Sequence, residues 1–226
     1  MTNINITKLI QFYDEKDKDN SQLATPITCI AGEDLGFALF SKYWNENELG
    51  QATVLEGKPI QPGEGHRKKW LDGWIGIYEQ EKLKKVFQTE VKNWSAHSKN
   101  GTHLAFKAPI GEMKKYADQS WAKLWDAQQD TFKEDNVAKV LLEMTPPAHV
   151  DVPIAPLLIF WRVLQIEDGE PKILMEKKIN HGCFSSVWIF SMSAYLRRLI
   201  KQDVHTIRIE MKKYDKCRNK MTEIFG

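Results

Sequence analysis

Cysteine is scarce in this chain. Cys29, Cys183 and Cys217 are the only three. Their odd number, wide spacing and lack of a C-x-x-C argue against a disulfide framework and a zinc knuckle. Long apolar runs are missing too. No stretch reaches the roughly 18 residues of a membrane helix. The opening "MTNINITKLIQFYDEKDKDN" has no apolar segment of signal-peptide length. A reducing, cytoplasmic setting is therefore expected, with no membrane partner. Neither sign of charge dominates: 32 Lys and Arg stand against 30 Asp and Glu, a net charge of +2. Composition alone thus demands no polyanionic partner, and only a local basic patch could provide for one. There is no internal repeat, Walker motif, G-x-G-x-x-G or G-x-S-x-G, which weighs against the nucleotide-binding and hydrolase folds those motifs mark.

What is present is core material. The 226 residues are 42% hydrophobic and include eight tryptophans. That is enough apolar surface for one sizeable domain spanning 1–226.

A short N-terminal helix is expected first, then a polar loop at 14–22, "DEKDKDNSQ". "GEDLGFALFSKYW" reads as a helix that opens on Gly32, Glu33 and Asp34, with the acids favouring its N-terminus. Residues 45–68 are rich in Gly and Pro. Strands are expected at "KKWLDGWIGIY" (68–78) and "KKVFQTEVKNWS" (84–95), joined by a charged turn. A helix follows at 112–130, where Met113, Tyr116, Trp121, Leu124 and Trp125 recur at helical steps. "NVAKVLLEMT" reads as a strand. "APLLIFWRVLQI" and "PKILMEKK" read as a hairpin turning at Asp168-Gly169. "FSSVWIFSMSAYLRRLIKQ" reads as a helix and "HTIRIEMKKY" as a last strand. The fold class is α/β (α+β), built on one central mixed β-sheet flanked by helices.

The informative stretch is "QTEVKNWS". Glu90 and Lys92 stand two apart and so share a face of their strand. If the preceding turn centres on Glu81, Asp72 lies opposite Glu90. Like charges directly opposed destabilise a structural sheet. Two facing carboxylates call for a cation, and oxygen donors favour magnesium or manganese. Lys92 beside them could orient a water or stabilise charge on a phosphate. Glu33, with Asp34 second, could add a helix acid. Taken singly, each residue reads better as ordinary structure: a solvated strand face for Glu90 and Lys92, turn or bulge chemistry for Asp72, and helix-dipole partners for Glu33 and Asp34; it is their order together that is harder to dismiss.

These residues resemble the core of the PD-(D/E)XK, or restriction-endonuclease-like, nuclease superfamily. "GEDLGFALF", "WLDGWIGI" and "VFQTEVKNWS" carry the resemblance, over about residues 30–144. That core is a helix, a three-strand meander, a helix and a further strand, with "QATVLEGKPI" (51–60) as the first meander strand. Residues 150–226 would form a C-terminal extension. The resemblance implies that Asp72 and Glu90 hold Mg2+ or Mn2+, with the Val91 carbonyl as a further ligand. It also implies that Lys92 acts on the attacking water and that Glu33 is the helix acid. Leu71 stands where the superfamily's nominal Pro would be, and no Gln-x-x-x-Tyr helix motif follows Glu-x-Lys.

A metal-dependent nuclease is the implied activity, endonuclease before exonuclease, acting on DNA before RNA. A homodimer would suit cleavage of both strands. The alternative is a catalytically inactive module of the same fold that binds nucleic acid or a protein. His66, Arg67, Lys68 and Lys69, running into Asp72, are the candidate phosphate contacts. His97 and His103 follow the Glu90 strand, and the tail "MKKYDKCRN" is basic. Trp121 and Trp125 read as core packing.

Overall fold

The alternating and helical patterns resolve into eighteen labelled elements. The computed structural model describes residues 1–16, 18–62, 68–98, 101–147 and 150–225. In chain order these are β1 (Thr2–Asn5), α1 (Ile6–Asp14), α2 (Lys18–Glu46), β2 (Gln51–Leu55), β3 (Gly73–Glu79) and β4 (Lys82–Lys92). Then come α3 (Ile110–Leu124), β5 (Trp125–Asp126), β6 (Thr131–Phe132) and α4 (Asp135–Ala138), which runs into a 3-10 turn at Lys139–Leu141. The rest are β7 (Ile154–Phe160), β8 (Ile166–Glu167), β9 (Glu170–Pro171), β10 (Leu174–His181), β11 (Phe184–Ser191), α5 (Met192–Lys201), β12 (Thr206–Ile209) and α6 (Lys212–Phe225).

The fold is α/β. Six strands form one mixed sheet in the order β10-β11-β7-β4-β3-β2. β2, β3 and β4 make an antiparallel meander, and β7 runs parallel to both β4 and β11. Each face of the sheet buries its own core. Phe87, Val91, Ile75 and Ile159 pack with Leu35, Phe40, Tyr116 and Tyr195 from the longer helices. Trp74, Val86, Leu158 and Phe160 pack on the opposite side with Trp125, Val137, Val140 and Leu141. Period-2 alternation in β4 therefore sends Phe87 and Val91 to one layer and Val86, with its even-numbered neighbours, to the other.

Several expectations are corrected. The polar segment before residue 23 is not a loop: α2 begins at Lys18 and runs through Pro26, so Glu33 and Asp34 lie mid-helix. Proline costs that helix one internal hydrogen bond, which packing of the later turns outweighs. The strand expected from 68 starts only at Gly73. The helix expected to reach 130 stops at Leu124, where Trp125 enters a small hairpin. "NVAKVLLEMT" is α4 and the 3-10 turn, not a strand. The strand beside β4 is instead β7. Asp168-Gly169 does turn, with φ of 50° and 78°, but it joins only the two-residue β8 and β9. β10 pairs with β11, formed by the first half of a segment that reads as all helix. Ser191 ends that strand and caps α5, accepting a hydrogen bond from the Ala194 N–H.

The meander's register is set twice. A two-residue turn at Gln80 and Glu81, both at positive φ, pairs Glu79 with Lys82 and Tyr78 with Leu83. Lys84 is then an extra residue, and pairing resumes one position on at Ile77 and Lys85. From there Gly73 meets Thr89, so Asp72, just before the strand, falls level with Glu90. The expected opposition is thus present, although the turn does not centre on Glu81. A bulge makes up the difference.

A buried polar network holds the chain that leaves β4. Asp14 is fully buried and accepts hydrogen bonds from Trp161 Nε1 (2.7 Å), Ser193 Oγ (3.0 Å) and Arg197 Nη2 (2.7 Å). Arg162 donates to the carbonyl of Trp94 at 2.9 Å. The Arg162 bond fixes the segment that begins at Asn93, immediately beyond Lys92.

Candidate active site

Three segments meet where β3 begins and β4 ends. Asp72 stands at the mouth of β3. Its N–H donates to the Thr89 carbonyl at 3.1 Å, and its Oδ2 accepts from the Val91 N–H at 2.8 Å. The next backbone position of β4 faces the other way, since the Lys92 carbonyl accepts from Trp161 N–H at 2.9 Å. Strand alternation therefore directs the Val91 carbonyl to the same edge as Asp72.

Glu90 lies on the β4 face covered by the 3-10 turn and is 1% exposed. Its Oε1 contacts two ammonium groups, Lys92 Nζ at 2.6 Å and Lys139 Nζ at 2.9 Å. Lys139 also donates to the Trp70 carbonyl at 2.9 Å, so it links Glu90 to the segment leading into Asp72. Gln88, two residues before Glu90, donates to the carbonyls of Val140 and Leu142 and anchors that turn. Glu90 Oε2 is buried with no hydrogen-bond partner.

Glu33 approaches from α2, on the opposite layer. Gly36, one turn on, lets the helix sit against β4 and β7: a Cβ there would stand 2.7 Å from Val91 Cγ1 and 3.2 Å from Ile159 Cγ2. Glu33 Oε2 pairs with Lys213 of α6 at 2.5 Å. Asp34 Oδ2 accepts from the Tyr214 N–H at 2.9 Å, so both acids also hold the first turn of α6.

The carboxyls feel one another. Burial raises the Asp72 pKa above its ordinary value; the Val91 N–H opposes the rise, Glu33 adds to it, and Lys92 and Lys139 offset it. Burial likewise raises Glu90, and the charge of Asp72 raises it further against Lys92 and Lys139. Partial burial works against the Lys213 ammonium, but Glu33, Asp34 and Asp72 together hold its pKa above the usual lysine value.

The charge of Glu33 is thus felt at Asp72, and that of Asp72 at Glu90. The three acids are not a tight triad: among the described residues no group of three or more His, Cys, Asp or Glu side chains could hold a metal ion. The donors that suit a divalent cation are narrower: Asp72, the unpartnered Oε2 of Glu90 and the Val91 carbonyl. Two carboxyls with raised pKa values and one orphaned buried oxygen fit such an ion.

Lys68 and Lys69 are exposed on the approach to Asp72, while His66 and Arg67 lie outside the described residues. His97 lines a small cleft of about 130 Å³ with Thr28, Cys29 and Asn93. His103 Nδ1 accepts from the Lys16 N–H at 3.3 Å. Trp121 and Trp125 stack with centroids 5.6 Å apart, and Trp125 is buried, as core packing requires. Sequence reasoning missed Lys139 and Lys213. Their segments read as strand, which hid a lysine on a 3-10 turn and another on a helix.

No protein-family model, curated protein or solved structure matches the chain. Among the described residues no helix is long and apolar enough to cross a membrane.

Proposed function

We propose that this protein is a metal-dependent nuclease of restriction-endonuclease-like fold that hydrolyses phosphodiester bonds, in DNA before RNA. The observation that carries the reading is the meeting of Asp72 with Glu90-x-Lys92 at a sheet end, with Glu90 Oε2 left free of hydrogen bonds. The order α2, β2–β3–β4, α3, β7 supports it, because the strand after the second helix returns parallel to the strand carrying Glu90. Such an order, by itself, is fold analogy; the site carries the function.

Asp72, Glu90 and the Val91 carbonyl would hold Mg2+ or Mn2+. When bound, the ion supplies Lewis-acid polarisation of the phosphoryl oxygen and a more acidic water. The chain's own part is positional. Asp72 is locked to β4 by the Val91 N–H. Lys139 holds Oε1 of Glu90 and leaves Oε2 for the ion. Lys92, 20% exposed, reaches from the same face towards solvent, where it would orient the attacking water and stabilise charge developing on the phosphate.

Cleavage of plasmid, linear duplex and single-stranded DNA with Mg2+ or Mn2+ tests this. Wild type should cut only with metal. Asp72→Ala and Lys92→Ala should each lose on the order of 10²–10³ in rate. Undiminished cutting by Asp72→Ala would overturn the assignment.

A second reading is a non-catalytic nucleic-acid-binding module. It is favoured by Lys92 and Lys139 both sitting on Glu90, which neutralises that acid without any metal. Mn2+ titration separates the two: the nuclease binds the ion through Asp72 and Glu90, and the module does not.

A further inference from the structure

We infer that Trp70 is a base-stacking platform beside the candidate site, and that the substrate is nucleic acid with unpaired bases next to the scissile phosphate. This rests on the nuclease reading above and narrows its substrate class.

Trp70 is 63% exposed, the most exposed tryptophan among the large hydrophobic side chains on the surface. Tryptophan carries the largest aromatic face of any side chain, and an indole left open to solvent offers that face to a stacking base. The backbone beneath it is rigid. Trp70 bridges to Ile60, its carbonyl accepts from Lys139, and its neighbours are tied by Gln61 N–H to Lys69 carbonyl (2.9 Å) and Leu71 N–H to Pro59 carbonyl (3.0 Å). A fixed main chain under an open ring is a preorganised surface, with little ordering cost on binding.

The surroundings identify the ligand. Lys68 and Lys69, both exposed, precede the ring and suit phosphates. Asp72 follows two residues later, at most about 7 Å along the chain. An aromatic face flanked by lysines at the edge of a phosphodiester-cleaving site matches how single strands are held, with stacked bases and a neutralised backbone. A protein partner would cover Trp70 without needing the lysines or the acids. Within a duplex each base face is already stacked on its neighbours, so only an unpaired or splayed base can offer its face to the indole.

The test is binding of fluorescein-labelled oligonucleotides, single-stranded and duplex, in EDTA to prevent cleavage. Wild type, Trp70→Ala, Trp70→Phe and the Lys68→Ala/Lys69→Ala pair are compared. Trp70→Ala should weaken single-strand binding about 5- to 100-fold and change duplex binding by less than about twofold. Trp70→Phe should restore most of the loss. The lysine pair should weaken both ligands and reduce the salt dependence. Because Trp70 is exposed, Trp70→Ala should melt like wild type. Equal single-strand affinity in wild type and Trp70→Ala, or equal losses for both ligands, would overturn the inference. If wild type cleaves with Asp72 dependence but Trp70→Ala binds normally, only this inference falls. If wild type neither binds nor cuts nucleic acid, the nuclease reading falls with it.

Discussion

Asp72 is held by the strand that carries its partner acid: the Val91 N–H donates to its Oδ2 at 2.8 Å. Burial, with the charge of Glu33 added, raises its pKa despite that bond. An acid whose pKa is higher folded than unfolded stabilises the fold below its unfolded pKa and loses that contribution as pH rises through the folded value. At neutral pH the ionised Asp72 therefore works against folding. Asp72→Asn keeps an acceptor for Val91 and should stabilise the protein by about 0.5–2 kcal/mol at pH 7. The gain should shrink towards pH 4. Urea denaturation at both pH values checks it, and a loss of stability at pH 7 would refute the account.

Lys139 shares Oε1 of Glu90 with Lys92, and it lowers the Glu90 pKa against burial and Asp72. Lys139→Met removes one of two ammonium groups and should move that pKa up. Mn2+ binding at the proposed site would need the carboxylate, so its pH midpoint should shift to higher pH. Calorimetric titration across pH 5–8 measures the shift; an unchanged midpoint would show that Lys139 does not act on Glu90.

Lys213 stands on Glu33 at 2.5 Å, in the field of Asp72. Its charge would oppose a divalent ion bound at the proposed site. The pair is exposed, so its own worth is small. Lys213→Met should tighten Mn2+ binding about three- to tenfold. Lys220→Met, on the same helix but paired with Glu223, should leave it unchanged. Equal effects from both would indicate only a general charge change.

The site was more legible than the fold around it. β3, β4 and the charged turn between them were readable from the sequence, and Asp72 falls level with Glu90 because the bulge at Lys84 offsets a turn placed half a residue from its expected centre. α2 was half legible: Leu35, Leu39 and Phe40 announce a helix, but the Lys, Asp, Asn, Ser and Gln before them lack any apolar stripe. β11 failed for a different reason. Val187 and Ile189 pack on one face while Phe190 packs on the other. A strand buried on both faces shows no period and merges with the helix after it. The same ambiguity hid Lys139, since Val140 and Leu141 are buried in a turn as thoroughly as in a strand.

Gly36 sets the approach of α2 to the site. An added Cβ would meet Val91 Cγ1 at 2.7 Å and Ile159 Cγ2 at 3.2 Å, both side chains in the core. Gly36→Ala should gain helix propensity but lose about 1–3 kcal/mol to overpacking. Thermal unfolding reads the net loss; a variant as stable as wild type would mean the helix can retreat freely.

The extra residue at Lys84 separates the hairpin's tip from its business end. Chain length between the turn and the bulge is absorbed there, some 20 Å from Glu90. Removing Lys84 would turn the bulge into regular pairing and still leave Ile77 beside Lys85 and Asp72 level with Glu90. The tip is thus a place where the protein tolerates insertion, deletion or a grafted tag. Beyond Lys85 the same one-residue change would rotate Glu90 and Lys92 into the opposite layer and dismantle the site without altering any of its side chains.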